Sequence, residues 1–181
     1  MAMEAEGPAA LLLSRQNITD IPAKPESTRY NDALGAEKGA YIVSDYEGAP
    51  DCILLANGSE VSTMVECAKI LKDKGYAIRI VSAPSEGVFS EQSSEYRESV
   101  LPFGVPVLGL TAGLPAALQG LAGPLGKVIG MKRFGASAPY KVLDEKFGYT
   151  PESVADQAER YLKEFNEIIR KLSSMISEPQ V

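Results

Sequence analysis

Histidine is absent from this chain of 181 residues, and with it the side chain that most often serves as acid, base or metal ligand near neutral pH. Any chemistry must use other groups. Cysteine is scarce as well: Cys52 and Cys67 are the only two, with no CxxC spacing and no third partner. They read as reduced core thiols of a cytosolic protein rather than a disulfide or a metal pair. Positive charge is in the minority, with 18 Lys and Arg against 24 Asp and Glu and a formal net charge of −6. That balance argues against a surface built for nucleic acid or for an anionic membrane. No apolar run is long enough to span a bilayer, and the opening Met1 to Glu6 is acidic where a secretory signal is basic. The length suits one α/β domain with a sizeable core, with a tail at one or both ends.

What is present is organised around Asp51 to Lys74. Cys52 to Ala56 is a short continuous apolar run, the pattern of a strand covered on both faces, and Asn57-Gly58 stops it with residues that tolerate a positive φ. Ser59 then stands at the N-cap of a helix, where its hydroxyl can accept a first-turn amide, and Glu60 complements the helix dipole. Val61, Met64, Val65, Ala68 and Leu71 recur at helical spacing. Gly75 ends that helix and Ala77 to Ser82 returns as a strand, completing a βαβ unit with a right-handed crossover.

The flanking segments extend the alternation. Ala9 to Leu13 has strand length and switches abruptly to the polar Ser14-Arg15-Gln16-Asn17. Ile18 to Ala36 carries Pro22 and Pro25 and reads as a connection with a helical turn near Tyr30 to Leu34. Ala40 to Val43 is β-prone, and the short turn Tyr46 to Pro50 suggests an antiparallel neighbour for the strand that follows. A polar helix is expected around Glu91, Glu95 and Glu98, a strand at Val105 to Leu110, a weak small-residue helix through Gly120, and a last strand at Lys127 to Gly130. Thr150-Pro151-Glu152 is a strong helix start. The helix it opens keeps one apolar stripe through Val154, Ala158, Tyr161, Leu162, Phe165, Ile168, Ile169 and Leu172, and frays from Ser173. The expected fold is a three-layer αβα domain with an open, mostly parallel five-stranded sheet and one antiparallel edge strand.

Four places merit weighing as sites. Asn57-Gly58-Ser59 sits where a phosphate-binding turn would sit, but one glycine replaces the three of GxGxxG and Glu60 competes with an anion for the helix dipole, so it reads as a turn and cap. Glu91, Glu95 and Glu98 share a helical face without a basic or metal partner and read as solvated. Lys132-Arg133-Phe134-Gly135-Ala136-Ser137-Ala138-Pro139 joins two cations to a turn, suited to gripping an anion or to presenting charge at a domain contact. Arg15 ends an apolar run, and its planar donors suit a bidentate phosphate contact. Composition alone leaves that role and an ordinary surface charge both open.

Five stretches in register carry a family resemblance: Leu13 to Asn17, Leu54 to Val61, Val81 to Ser85, Tyr96 to Pro102 and Arg133 to Pro139. Together they resemble the C-terminal domain of transketolase, over Pro8 to about Phe165. The resemblance implies residues 1–8 as a flexible leader, 9–36 as the end of a preceding domain and a linker, 37–174 as the domain proper and 175–181 as a frayed tail. It implies a homodimeric transferase of ketone residues in the pentose phosphate pathway, moving a two-carbon ketol unit between sugar phosphates with thiamine diphosphate and magnesium or calcium. Those cofactors are held in the family by preceding domains, so the chain is expected to be a supporting piece, without cofactor or metal and inactive alone. Arg15 matches the arginine that reaches the substrate phosphate. Asn57 stands where the family usually has threonine and Thr111 where it usually has glutamate. Ala116 to Ala122 lacks the family's aromatic and charged residues, and no role is transferred to that loop. The rival readings are a free-standing α/β module for a small anionic ligand, using Arg15 or the Asn57 to Glu60 turn, and an interaction or regulatory domain.

Overall fold

The computed structural model describes residues 6–14 and 16–177. Its centre is β2 (Cys52–Ala56), every residue of which is buried. Both faces of this strand are covered, which is why it can be apolar throughout instead of alternating. Parallel neighbours take both its edges: β3 (Ile78–Ser82) pairs from Cys52↔Ile78 to Ala56↔Ser82, and β4 (Val107–Leu110) from Ile53↔Val107 to Ala56↔Leu110. β5 (Lys127–Ile129) adds in parallel to β4, and β1 (Tyr41–Ser44) closes the other edge antiparallel to β3. The order is β1-β3-β2-β4-β5.

The expected five-stranded mixed sheet is therefore present, with one adjustment. β1 is antiparallel as expected, but its partner is β3 and not the next strand in the chain. Both edges of β2 are occupied by parallel strands, so the chain passes β3 to reach the centre. Arg79 of β3 pins that passage. Its Nε and Nη2 donate to Asp45 Oδ1 and Oδ2, both at 2.9 Å, and its Nη1 donates to the carbonyls of Ser99 and Val100 at 2.8 and 3.1 Å.

Period-two alternation divides the core. Cys52, Leu54 and Ala56 join one cluster, and Ile53 and Leu55 the other. The first cluster lies under α2 (Glu60–Asp73) and α7 (Pro151–Ser177), and the second under α3 (Glu86–Ser90), α4 (Ser94–Val100) and α5 (Ala116–Ala122). α2 buries Val61, Met64, Cys67, Ala68 and Leu71. It ends as its glycine predicts: Gly75 has φ 92°, its amide donates to Lys72 O at 2.9 Å, and Tyr76 N donates to Leu71 O at 3.1 Å, the pairing of a Schellman cap. Both cysteines are buried free thiols, and burial pushes each up to about 12.

α7 starts where Thr150 Oγ1 accepts from Ser153 N at 3.3 Å. It runs against the strand direction, from the carboxyl edge of the sheet to the amino edge, where Tyr161 does something no periodicity foretells. Its hydroxyl donates to Leu125 O and accepts from Val107 N, each at 3.1 Å. That oxygen bridges β4 to the chain entering β5, two residues before the strand begins. α7 then continues through Ser177 instead of fraying from Ser173.

Other local expectations change for physical reasons. Ala9 to Leu13 forms no strand and is exposed, because a strand needs a ladder partner and none stands beside it among the described residues. Tyr30 to Leu34 does contain a turn of helix, α1 (Arg29–Ala33), capped by Thr28, and a 3-10 turn follows at Leu34–Lys38. The expected polar helix is split in two: Glu91 follows α3, whereas Glu95 and Glu98 belong to α4, which Ser93 caps. α6 (Tyr140–Phe147) was not foreseen and ends at Gly148 with φ 76°. No helix among the described residues is long and apolar enough to cross a membrane.

Candidate functional site

The strand order reverses at β2: the chain leaves it for β3 on one side and returns to β4 on the other. In open sheets of this kind a ligand crevice lies outside the carboxyl ends of the strands at the reversal. Here that point lies between Asn57-Gly58, after β2, and Thr111-Ala112, after β4.

Gly58 takes φ 60° to turn directly into α2. The expected Ser59 cap is absent. Ser59 already has helical angles, so its hydroxyl points away from the first-turn amides and donates to Glu60 Oε1 at 2.8 Å instead. Glu60 Oε2 lies 3.8 Å from where a β-carbon on Gly58 would stand. Its carboxylate therefore folds back over the turn, at the positive end of a 14-residue helix. An anion would seek the same place. The turn starts the helix without a side-chain cap and sets the chain's own carboxylate at its positive end.

The opposite wall is equally occupied by the chain itself. Buried Thr111 accepts at Oγ1 from Gly113 N at 3.1 Å, donates its amide to Ile129 O at 3.0 Å, and accepts at its carbonyl from the Tyr149 hydroxyl at 2.8 Å. Burial pushes Tyr149 up to about 12, with the carboxylates of Glu60 and Asp144 adding to the effect. It stays protonated at neutral pH and serves as a fixed donor. Gly130 lets the next loop close in: a β-carbon there would lie 2.9 Å from both Gly113 O and Pro115 N. Tyr149 escaped sequence reasoning. The available signal was a tyrosine immediately ahead of a capped helix, which sets its ring at the strand ends.

The remaining candidates stand apart from this point. Arg15 lies outside the described residues. Glu91, Glu95 and Glu98 are exposed; Glu98 Oε1 accepts from Phe103 N at 2.8 Å, and hydrogen bonds from its own backbone amide, Ser93 and Ser94 hold Glu95 below the usual carboxylate range. Residues 132–139 are exposed coil, with the Arg133 guanidinium 5.3 Å from the centre of the Phe147 ring and Phe134 fully exposed. A separate cavity of about 480 Å³ opens near β1, beneath the strap of residues 21–25. Lys24, Lys69 and Lys72 are among its walls, and Lys69 is held by Glu66 at 2.7 Å. Among the described residues no three His, Cys, Asp or Glu side chains come together as a metal site.

A sequence-family model described as the transketolase-like TK C-terminal domain matches residues 39–150. The chain belongs to this family. The match takes in all five strands and α2 through α6. The transketolase of Staphylococcus aureus strain MW2 is 40% identical over 161 residues, which is 87% of this chain and 23% of that protein. The solved transketolase of Campylobacter jejuni superimposes with a TM-score of 0.75 at 29% identity, covering 88% of this chain and 23% of that one. That of Leishmania mexicana gives 0.68 at 36% identity, covering 78% and 20%. The chain thus spans about a quarter of the length of the transketolases it matches. The resemblance drawn from five short stretches is the family assignment.

Proposed function

We propose that this chain is the supporting C-terminal lobe of a transketolase, and that the lobe carries no step of the reaction by itself. One observation supports this most: the point where an open sheet would receive a ligand is filled by the chain's own groups, with Glu60 over the helix start and Tyr149 on the strand end. The family implies thiamine diphosphate with magnesium or calcium, and the described residues do not fit that pair. The N-terminus of α2 is taken by a carboxylate, and no cluster of acids is assembled. On this reading the cofactor is held by the remaining transketolase domains, and residues 37–174 brace them and a second subunit in a cytoplasmic homodimer. Residues 9–36 join the lobe to the domain before it.

Arg15 then belongs to the far end of that connection, where its guanidinium grips the phosphate of a sugar-phosphate substrate. In the assembled enzyme Arg15→Ala raises KM for phosphorylated sugars by roughly ten- to a hundredfold, equivalent to about 1.5–3 kcal/mol of charge-assisted bonding. Unphosphorylated donors lose far less, and equal losses on both would remove the assignment. For the lobe itself the test is calorimetry of the purified chain with ribose 5-phosphate and with thiamine diphosphate plus magnesium. Silence is expected in both titrations. Saturable micromolar binding would favour a free-standing anion-binding module, and ketol transfer by the chain alone would refute the proposal outright.

A further inference from the structure

The strap of residues 21–25 crosses the domain without closing on it. At one end Ile21 packs against the first core cluster. At the other, Asp32 accepts from Lys24 N at 2.9 Å and from Ser27 Oγ at 2.7 Å, and Pro22 and Pro25 stiffen the chain between these anchors. Among the described residues no backbone hydrogen bond joins the strap to β1, whose outer edge has no strand beside it. The cavity of about 480 Å³ beneath the strap is therefore built into the backbone, its roof fixed at both ends and standing off its floor. Close packing leaves few voids larger than a water molecule, whereas ligand pockets run from about 300 to 1,000 Å³.

The walls state the chemistry that fits. α2 presents Val65, Ala68, Lys69 and Lys72 to the cavity at helical spacing, two apolar side chains followed by two cations. Ile42 of β1 and Ile80 of β3 add aliphatic floor, and Lys24 of the strap adds a third cation. Asp45 is the one acid in this lining, and both its oxygens are held by Arg79. Lys69 is held by Glu66 at 2.7 Å. Among the described residues neither Lys24 nor Lys72 forms an ion pair; Asp32 feels the charge of Lys24 but spends its oxygens on Lys24 N and Ser27. An aliphatic hollow with two uncommitted ammonium groups takes an anion that carries an apolar body. A sugar phosphate meets the charge and not the floor. Since a cavity of about 150 Å³ holds benzene, this one has room for an alkyl chain of about ten carbons with its acid group.

We propose that this cavity is a binding site for a medium-chain organic acid, with the alkyl body on Ile42, Val65 and Ile80 and the carboxylate between Lys24 and Lys72. This inference does not depend on the transketolase reading and uses no residue of the strand ends.

Calorimetry of the full chain with decanoate tests it. Saturable binding with a dissociation constant of about 100 μM or below is expected, weakening about tenfold for each two carbons removed, through octanoate to hexanoate. Ribose 5-phosphate should stay silent in the same cell, as the supporting-lobe reading requires, so a failure of either reading shows separately. Lys24→Met combined with Lys72→Met keeps both apolar stems and removes both charges. It should weaken octanoate about tenfold and leave the uncharged 1-octanol unchanged. Val65→Phe extends a half-buried side chain into the hollow and should abolish decanoate binding while the urea midpoint is maintained. In the wild-type chain the methyl resonances of Ile42 and Ile80 should shift as decanoate is added. A flat decanoate titration up to about 1 mM overturns the proposal. So do shifts confined to the exposed Ile168 and Leu172, equal losses on octanoate and 1-octanol, or decanoate binding that Val65→Phe leaves intact.

Discussion

Tyr161→Phe isolates one oxygen atom. The substitution keeps the ring, its edge contact with Phe165 at 6.1 Å between centroids, and the burial of α7 against the sheet. It removes a hydroxyl that is both donor and acceptor across the amino edge. The two partners lose unequally. Leu125 is 42% exposed, so its carbonyl regains water at little cost. Val107 is buried, and among the described residues its amide donates only to this hydroxyl. Losing a net hydrogen bond costs about 1 kcal/mol, and stranding a buried donor adds about 1–2, giving a loss of roughly 2–3 kcal/mol. Urea unfolding reads the total, with an unchanged slope because the same surface is exposed. Hydrogen exchange at the Val107 amide reads the cause and should accelerate more than at Ile53, whose amide bonds Pro106 O at 2.9 Å in both proteins. Tyr96→Phe is the comparison, since its hydroxyl makes one bond, to Ala40 O at 2.9 Å, in a part-buried setting; about 1 kcal/mol is expected there. A Tyr161→Phe loss no larger than that of Tyr96→Phe, or an unaltered Val107 exchange rate, would refute the bridging role.

Two more outcomes follow from burial and backbone geometry. The thiols of Cys52 and Cys67 are raised from 9.0 to about 12 by burial, so the unfolded chain releases their protons first and stability is lost as pH rises. Between about pH 8 and 10 each thiol should remove about 1.4 kcal/mol of folding stability, and Cys67→Ala should halve the combined slope in urea titrations. Gly39 has φ 83° and leaves no room for a β-carbon, which would run into Phe89 N and Ser85 O. Gly39→Ala should therefore cost about 2–4 kcal/mol, against about 1 kcal/mol for Gly48→Ala, which has a positive φ but open space around it. Equal urea midpoints for the two would show that the close approach is relieved cheaply.

How much of this was legible in the sequence depended on how local the cause was. The β2-α2-β3 unit, the glycine end of α2 and the start of α7 at Thr150 each rest on residues within a few positions of one another, and each forms as the pattern predicts. The Ser59 cap failed because Gly58 brings Ser59 into the helix one residue early. At the candidate site, Glu60 was readable as an obstacle to an anion, whereas Tyr149 was not readable at all: its partner, Thr111, is 38 residues away. α6 was missed because a proline and a glycine bound only eight residues, with none of them buried.

By itself the sequence determined the kinds of elements and which side chains would be buried, because apolar periodicity and turn residues act over a few bonds. It also determined the family, through short stretches held in a fixed order. Only the tertiary structure decided that β1 joins β3, that two tyrosine hydroxyls tie strand ends together, and that one continuous stripe on α7 is half core and half bare surface. Periodicity states that a face will be covered; where the sheet ends in space decides what is left to cover it.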